Sequence, residues 1–335
     1  MTQDNTKAGW KIWSLPVRVG IAAAACWLIA KDLKWAELKE TFAELELWTL
    51  LVGIMAFTAS QCLLGFRWWL FLRAQQIAVS LRLAIKLNFL GLFFSNFLPS
   101  SVGGDLVRAW YVSRYSSRKM QAALGVLVDR IIGMIATLFI AFTAILLFMR
   151  GTHLLAIRRI GNAASIIETI SVPHLILAIF IGIGVILLFH KALKSIAHRV
   201  LRHLVQLLSQ FRQVVGVYYR HPFVLFWALA LTIFLQSMVL TAYWLIGRSL
   251  NIVAPLGYYF VFFPLVWVVG SIPVSIAGLG ILEGGLVFFF VRYGGATPEA
   301  AAALALCQRL TWVAASLPGL VVHLTESHRH AGDSK

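Results

Sequence analysis

Residues 99–105 read PSSVGGD, and they interrupt an apolar segment that extends from residue 84 to residue 112. A second apolar segment, residues 256–291, is interrupted by PVSIAGLG at residues 273–280. Proline and clustered glycines stop helices, so each segment is predicted to form two short helices joined by a turn.

The composition around these segments is that of a membrane protein. Of 335 residues, 60% are hydrophobic and 13% are charged, whereas a soluble domain carries about 25% charged residues. Six further apolar runs are long enough to cross a hydrocarbon core of about 30 Å; they are residues 13–30, 48–66, 126–149, 172–189, 223–246 and 301–324. The composition excludes a soluble globular enzyme, a disordered chain and a secreted disulfide scaffold.

These runs predict an all-α polytopic membrane protein with about six full transmembrane helices. Broken backbone at membrane depth persists only where protein or water covers it, so the two interrupted segments are predicted to be re-entrant hairpins. Eight spans are the alternative, because each half of 256–291 is long enough to be an ordinary span. For the run 13–30, a retained first span and a cleaved signal peptide are both compatible with its basic flank.

The basic residues that give the chain its net charge of +16 lie mostly in the loops between the apolar runs. With the amino terminus inside, 19 basic residues fall in cytoplasmic segments and 8 outside, as the positive-inside rule requires; this count includes Arg67 and Arg108 as cytoplasmic. We therefore expect both termini to be cytoplasmic and no nucleic-acid partner. Residues 191–220 carry six basic residues and no acid, which fits either an amphipathic helix on anionic cytoplasmic lipid or an ordinary basic loop.

The two interrupted segments indicate an internal repeat. Arg130 follows Asp105 by 25 residues, and Arg309 follows Glu283 by 26. Two repeats, about 13–150 and 172–324, would each contain two spans, a hairpin and a third, charged span. An odd number of crossings inverts the second copy, and inverted repeats with broken helices are typical of transporters with a site at mid-membrane.

The charged residues inside these apolar segments are the candidate site. Charges at the centre of a membrane helix are costly and need partners or a polar cavity. One interpretation is a cavity in which Arg130 and Arg309 hold a lipid phosphate, with Asp105, Asp129 and Glu283 as charge partners; the other is internal pairing without a substrate. Backbone N–H groups and hydroxyls that could assist come from Gly103, Gly104, Gly278, Gly280, Ser101 and Ser275, although serine in a turn often serves the backbone.

The sequence shows no residue spacing typical of a metal or cofactor site. The three cysteines are far apart and the nine histidines show no metal spacing, so neither a metal nor a cofactor is expected. Asn88 and Asn96 share one helical face and could either join helices or line the cavity.

These motifs resemble the lysylphosphatidylglycerol synthase transmembrane (flippase-like) family. The resemblance covers nearly the whole chain and is clearest at residues 99–108, 129–133 and 273–283. It implies that the family's polar positions are occupied by Asp105, Arg108, Asp129, Arg130, Glu283 and Arg309. Bifunctional relatives translocate an aminoacylated lipid that a cytosolic aminoacyl-transferase domain makes; the chain ends at Lys335 without that domain, so synthesis is not implied.

The resemblance implies a single flippase-like transmembrane domain, residues 1–335, in a bacterial inner membrane. The expected function is to move a phosphate-bearing lipid head group between leaflets, and a homodimer is also implied. The alternatives are an intramembrane lipid-modifying enzyme and a scaffold or regulator of a lipid, hopanoid or glycan synthesis complex. We expect a transporter that is not an enzyme.

Overall fold

The computed structural model describes residues 27, 31, 33–97, 103–115, 119–148, 216, 222–271 and 278–332. Within these residues there are nine helices and no strands. The helices are α1 (Trp35–Ala43), α2 (Leu47–Ala74), α3 (Leu81–Phe97), α4 (Gly103–Ser113), α5 (Lys119–Phe148), α6 (Pro222–Ser249), α7 (Leu256–Gly270), α8 (Ile281–Tyr293) and α9 (Pro298–Gly332).

Four of these helices are long and apolar enough to cross a membrane: α2, α5, α6 and α9. They contain the predicted runs 48–66, 126–148 of 126–149, 223–246 and 301–324, so the prediction of an all-α polytopic membrane protein is confirmed. The predicted spans 13–30 and 172–189 and the basic segment 191–220 lie outside the described residues, apart from Trp27 and Gly216.

The two interrupted segments each form a pair of short helices that pack on one another, α3 with α4 and α7 with α8. At 1.5 Å per residue, α3 is about 26 Å long, α4 about 16 Å, α7 about 22 Å and α8 about 20 Å. Each is shorter than a hydrocarbon core of about 30 Å. These lengths favour re-entrant hairpins, and the total number of crossings stays a prediction.

Helix packing in the two halves follows one pattern. In the first hairpin α3 packs on α9 and α4 on α5, while in the second hairpin α7 packs on α5 and α8 on α9. The first long helices of the two halves, α2 and α6, pack on each other. Two repeats related by a twofold axis would exchange partners in this way; the internal repeat and its limits stay predictions.

The turns before the two hairpins also share a local structure. Gln76 and Asn251 have φ angles of 60° and 59°, and each follows the end of a long helix. The next residue in each case, Ile77 or Ile252, donates its N–H to a carbonyl five residues earlier at 2.9 Å. This is the Schellman arrangement, which satisfies carbonyls that a helix end leaves without partners.

Helix α9 is the most enclosed of the four membrane-spanning helices. In its most apolar window 61% of the residues are buried, against 28% in each of the other three. Its first turns are rich in buried alanine, from Ala300 to Ala305, and small residues let helices approach closely in membranes. A central α9 brings both hairpins against the same helix.

The first hairpin is closed by glycines. Gly91 of α3 and Gly104 of α4 lie so close that a Cβ on Gly104 would be 2.0 Å from the carbonyl oxygen of Gly91. A side chain of any size at residue 104 would therefore force the two helices apart. This contact fixes the start of α4, and with it the position of Asp105.

Candidate functional site

A buried ion pair joins α2 to α5. Arg67 and Asp129 have side chains that are each 3% exposed, and their closest N–O distance is 2.8 Å, from Arg67 Nη2 to Asp129 Oδ1. Arg67 Nε donates to the same oxygen at 3.0 Å, Nη2 donates to the Asp129 carbonyl at 3.2 Å, and Nη1 donates to Thr232 of α6 at 2.6 Å. Arg67 therefore ties three membrane-spanning helices together.

Asp129 continues the network into the first hairpin. Its second oxygen, Oδ2, accepts from Arg108 Nη2 at 3.3 Å, and the Arg108 guanidinium lies over the Trp68 ring at 4.2 Å from its centroid. Arg108 Nη1 is 3.6 Å from Asp105 Oδ1, and Asp105 Oδ2 accepts from Arg130. The result is an alternating charge chain, which consists of Arg67, Asp129, Arg108, Asp105 and Arg130.

Solvent access and charge both vary along this chain. The Asp105 and Arg130 side chains are about one quarter exposed, at 26% and 25%, whereas the other three are at least nine-tenths buried. Three arginines against two aspartates leave one net positive charge. A buried charge is costly unless it is paired and hydrogen-bonded, so the aspartates are what allow three arginines to lie here.

The second charged pair, Glu283 and Arg309, joins α8 to α9. Glu283 Oε1 is 2.8 Å from Arg309 Nε and 2.6 Å from Nη2, and Oε2 accepts from the backbone N–H of Gly280 at 2.8 Å. Gly278 and Gly280 have φ angles of 71° and 79°, which glycine adopts readily. Both oxygens of Glu283 are thus engaged at the start of α8.

All five members of the charge chain line a cavity of about 340 Å³ between the helices. This volume is within the range of about 300–1,000 Å³ that is usual for small-molecule sites. The neutral polar side chains of its wall are Ser60, Gln61, Thr137, Thr232 and Gln236. Its apolar wall includes Phe57, Leu64, Met134, Leu235, Val239, Trp267 and Trp312.

A second cavity of about 190 Å³ lies beside the two hairpins. Its wall shares Arg130, Trp267 and Trp312 with the larger cavity. It also includes Asn96, which donates to the Trp312 carbonyl at 3.4 Å. Arg130 is therefore the charged residue that both cavities have in common.

A sequence model of the family described as "Lysylphosphatidylglycerol synthase TM region" matches residues 16–319. The chain belongs to this family. A curated relative, described as a UPF0104 membrane protein from Methanothermobacter thermautotrophicus, is 25% identical over 267 residues, which are 74% of this chain and 76% of the relative.

In this member of the lysylphosphatidylglycerol synthase transmembrane family, the predicted site residues separate into groups. Asp105, Arg108, Asp129 and Arg130 come together in the charge chain and line the larger cavity. Those that line neither cavity are Gly103, Gly104, Gly278, Gly280, Glu283 and Arg309. Ser101 and Ser275 lie outside the described residues.

Two arginines that the charge count assigned to cytoplasmic segments are buried among the helices. The charge count treated Arg67 as a cytoplasmic residue just beyond the run 48–66, but α2 continues to Ala74 and Arg67 is buried inside it. Arg108, counted as cytoplasmic as well as polar, is likewise buried. Burial is possible in both cases because Asp129 lies between them as a shared counter-ion.

Sequence reasoning missed Arg67 because an arginine at the end of an apolar run is usually an interfacial anchor. The signal that could have identified it is the apolar sequence that follows, Trp68 to Leu72, which extends the helix. Of the two asparagines left open, Asn88 donates to the carbonyl and side-chain oxygens of Gln61 at 2.9 and 3.2 Å and joins α3 to α2. Asn96 lines the smaller cavity.

Proposed function

We propose that the protein moves the head group of a phosphate-bearing lipid between the leaflets of the membrane while the acyl chains stay in the bilayer. The observation that carries this proposal is a cavity lined by five charged side chains with one net positive charge, in a protein with four long apolar helices. An anion in the cavity would neutralise the excess charge.

Arg130 is the proposed phosphate ligand. Its planar guanidinium can make two parallel hydrogen bonds to phosphate, and it is the most exposed arginine of the charge chain. A phosphate would compete with Asp105 for this guanidinium. Asp105 would retain Arg108, already 3.6 Å away, so its negative charge would not be left without a partner.

The proposal includes the setting expected from the sequence. The protein would act in a bacterial inner membrane with both termini in the cytoplasm, with anionic lipid at the cytoplasmic face and a homodimer as its assembly. The reaction would be transport without chemical change of the lipid. Membership of a family described by its lysylphosphatidylglycerol synthase transmembrane region supports a lipid as the transported molecule.

The test is leaflet exchange in proteoliposomes. Phosphatidylglycerol with a fluorescent acyl chain would be present in both leaflets, and dithionite added outside would quench only the outer pool. We expect exchange with the wild type and a loss of about tenfold or more with Arg130→Ala, which removes an interaction worth about 1.4 kcal/mol or more. Arg130→Lys, which keeps the charge without the planar fork, should retain part of the rate.

Two matched variants separate a binding role from a structural one. Arg309→Ala removes the counterpart arginine, which lines neither cavity, and Arg248→Ala removes an exposed arginine at the end of α6. Equal loss of exchange in Arg130→Ala and Arg309→Ala would contradict a specific role for Arg130. Absence of exchange with folded wild-type protein would contradict transport. A change in lipid mass without leaflet exchange would instead favour an intramembrane lipid-modifying enzyme.

A further inference from the structure

Resting on the proposed function, the charge chain also points to the chemical class of the head group. We infer that the cavity accepts a net anionic lipid whose head group is otherwise neutral and rich in hydroxyls, and that it discriminates against head groups carrying an added ammonium. Two features of the cavity would produce this selectivity: its carboxylates are already paired with arginines, and several of its buried polar atoms have no hydrogen-bond partner among the described residues.

Both carboxylates of the cavity are committed to arginines. Asp129 faces Arg67 through Oδ1 and Arg108 through Oδ2, at 2.8 and 3.3 Å. Asp105 faces Arg108 through Oδ1 and Arg130 through Oδ2. An ammonium entering the cavity would find every carboxylate oxygen opposite a guanidinium, and it would need to break one of these pairs to gain a partner.

The net charge of the cavity also favours an anionic head group over one with an added ammonium. One phosphate monoanion compensates the one net positive charge of the cavity, whereas a zwitterionic head group leaves that charge and an aminoacylated phosphatidylglycerol adds to it. Uncompensated charge in a poorly solvated site is costly. The remaining acidic group near the hairpins, Glu283, is held by Arg309 and lines neither cavity.

The neutral part of the wall fits hydroxyl groups. Within the described residues, four buried polar atoms of the wall have no hydrogen-bond partner: one acceptor, Gln236 Oε1, and three donors, Arg108 Nε, Trp267 Nε1 and Trp312 Nε1. Gln236 Nε2 donates to Thr137 Oγ1 at 2.6 Å, which fixes the direction of the amide. A hydroxyl both donates and accepts, so the hydroxyls of a glycerol, inositol or sugar head group could bind the acceptor and the donors alike, whereas an ammonium could bind only the acceptor.

The experiment compares two lipids that differ by one aminoacyl group. Acyl-chain-labelled phosphatidylglycerol and lysylphosphatidylglycerol would be followed in matched proteoliposomes, with phosphatidylethanolamine as the zwitterion. We expect phosphatidylglycerol to exchange at least about tenfold faster than lysylphosphatidylglycerol. Gln236→Glu adds a carboxylate to the cavity, so it should slow the exchange of phosphatidylglycerol and reduce the ratio of its exchange rate to that of lysylphosphatidylglycerol. Gln76→Glu makes the same change at an exposed turn and should leave this ratio of rates unchanged.

A binding measurement separates this inference from the proposed function. The thermal midpoint of detergent-solubilised protein would be measured with dioctanoyl phosphatidylglycerol, its lysyl derivative and glycerol 3-phosphate. Stabilisation by phosphatidylglycerol above the other two supports the head-group class even if no lipid exchanges between leaflets. Equal or faster exchange of lysylphosphatidylglycerol, or equal stabilisation by it, would overturn the inference, as would stabilisation by glycerol 3-phosphate alone.

Discussion

Around the first hairpin the helices bury charged side chains, whereas around the second hairpin they bury stacked aromatic rings. Tyr243 and Phe263 stack with centroids 5.0 Å apart, and Tyr259 and Phe290 meet edge to face at 4.7 Å. All four rings are fully buried. The two halves therefore differ in their interiors, which are polar around the first hairpin and aromatic around the second.

Two positions account for much of this difference. Asp129 in the frame VDRI, residues 128–131, corresponds to Gln308 in the frame CQRL, residues 307–310. Arg108, three residues after Asp105, corresponds to Leu286, three residues after Glu283, which is fully buried. The second half thus keeps one ion pair and lacks the two residues that extend the first pair into a charge chain. Under the predicted repeat, the polar chemistry is concentrated in the first half.

The largest effect should come from breaking the charge chain at Asp129. Asp129→Asn leaves Arg67 buried without a counter-ion and removes the charge that Arg108 faces. Removing one partner of a buried ion pair costs about 3–5 kcal/mol, so we expect a marked fall in thermal midpoint and in the yield of folded protein in detergent. Adding Arg67→Met to the Asp129→Asn variant should recover part of the lost stability. A thermal midpoint of Asp129→Asn equal to that of the wild type would contradict the buried pairing.

A smaller effect should separate the two hairpins at their glycine contacts. A Cβ on Gly104 would lie 2.0 Å from the backbone oxygen of Gly91, whereas a Cβ on Gly270 would lie 2.3 Å from a terminal methyl of Leu282. A side chain can rotate away, but the backbone of a packed helix cannot move without shifting its neighbours. We expect Gly104→Ala to lower the free energy of unfolding by about 1–3 kcal/mol, the usual cost of overpacking, and Gly270→Ala to lower it less. The reverse order, measured by thermal unfolding, would show that the first hairpin is the more adaptable of the two.

The smallest effect is expected at Gln308, the counterpart of Asp129. Its side chain is buried, and its Oε1 has no hydrogen-bond partner among the described residues. Replacing an unsatisfied polar group by an apolar one of similar size is close to neutral, so Gln308→Leu should change the free energy of unfolding by less than about 1 kcal/mol. A loss as large as that of Asp129→Asn would mean that the second half also depends on a buried polar network.

Sequence reasoning named the residues of the pairs Asp105–Arg130 and Glu283–Arg309, but it did not name Arg67 as the partner of Asp129. Asp105 and Arg130 lie on consecutive helices, α4 and α5, and the 25-residue spacing could be read from the chain. Arg67 and Asp129 are 62 residues apart, and their contact depends on how α2 packs against α5. Apolar helices in a membrane carry no strong sequence signal for which faces meet, since lipid and protein neighbours are similarly apolar.

Residues 84–112 and 256–291 were predicted as broken segments because proline and glycine act locally on the backbone. The matching turns at Gln76 and Asn251 were not predicted, because neither residue type requires a positive φ and only the closed helix end reveals it.

The amino-acid sequence by itself determined that this protein is helical, lies in a membrane and carries a small set of charges inside apolar segments, because length, hydropathy and helix breakers act along the chain. Only the tertiary structure decided which charges share a cavity. It joined Arg67 to the chain, left Glu283 and Arg309 as a separate pair, and produced a net positive wall. The physical reason is that a buried charge is stabilised by its neighbours in space, and helix packing brings together residues that are distant in the chain.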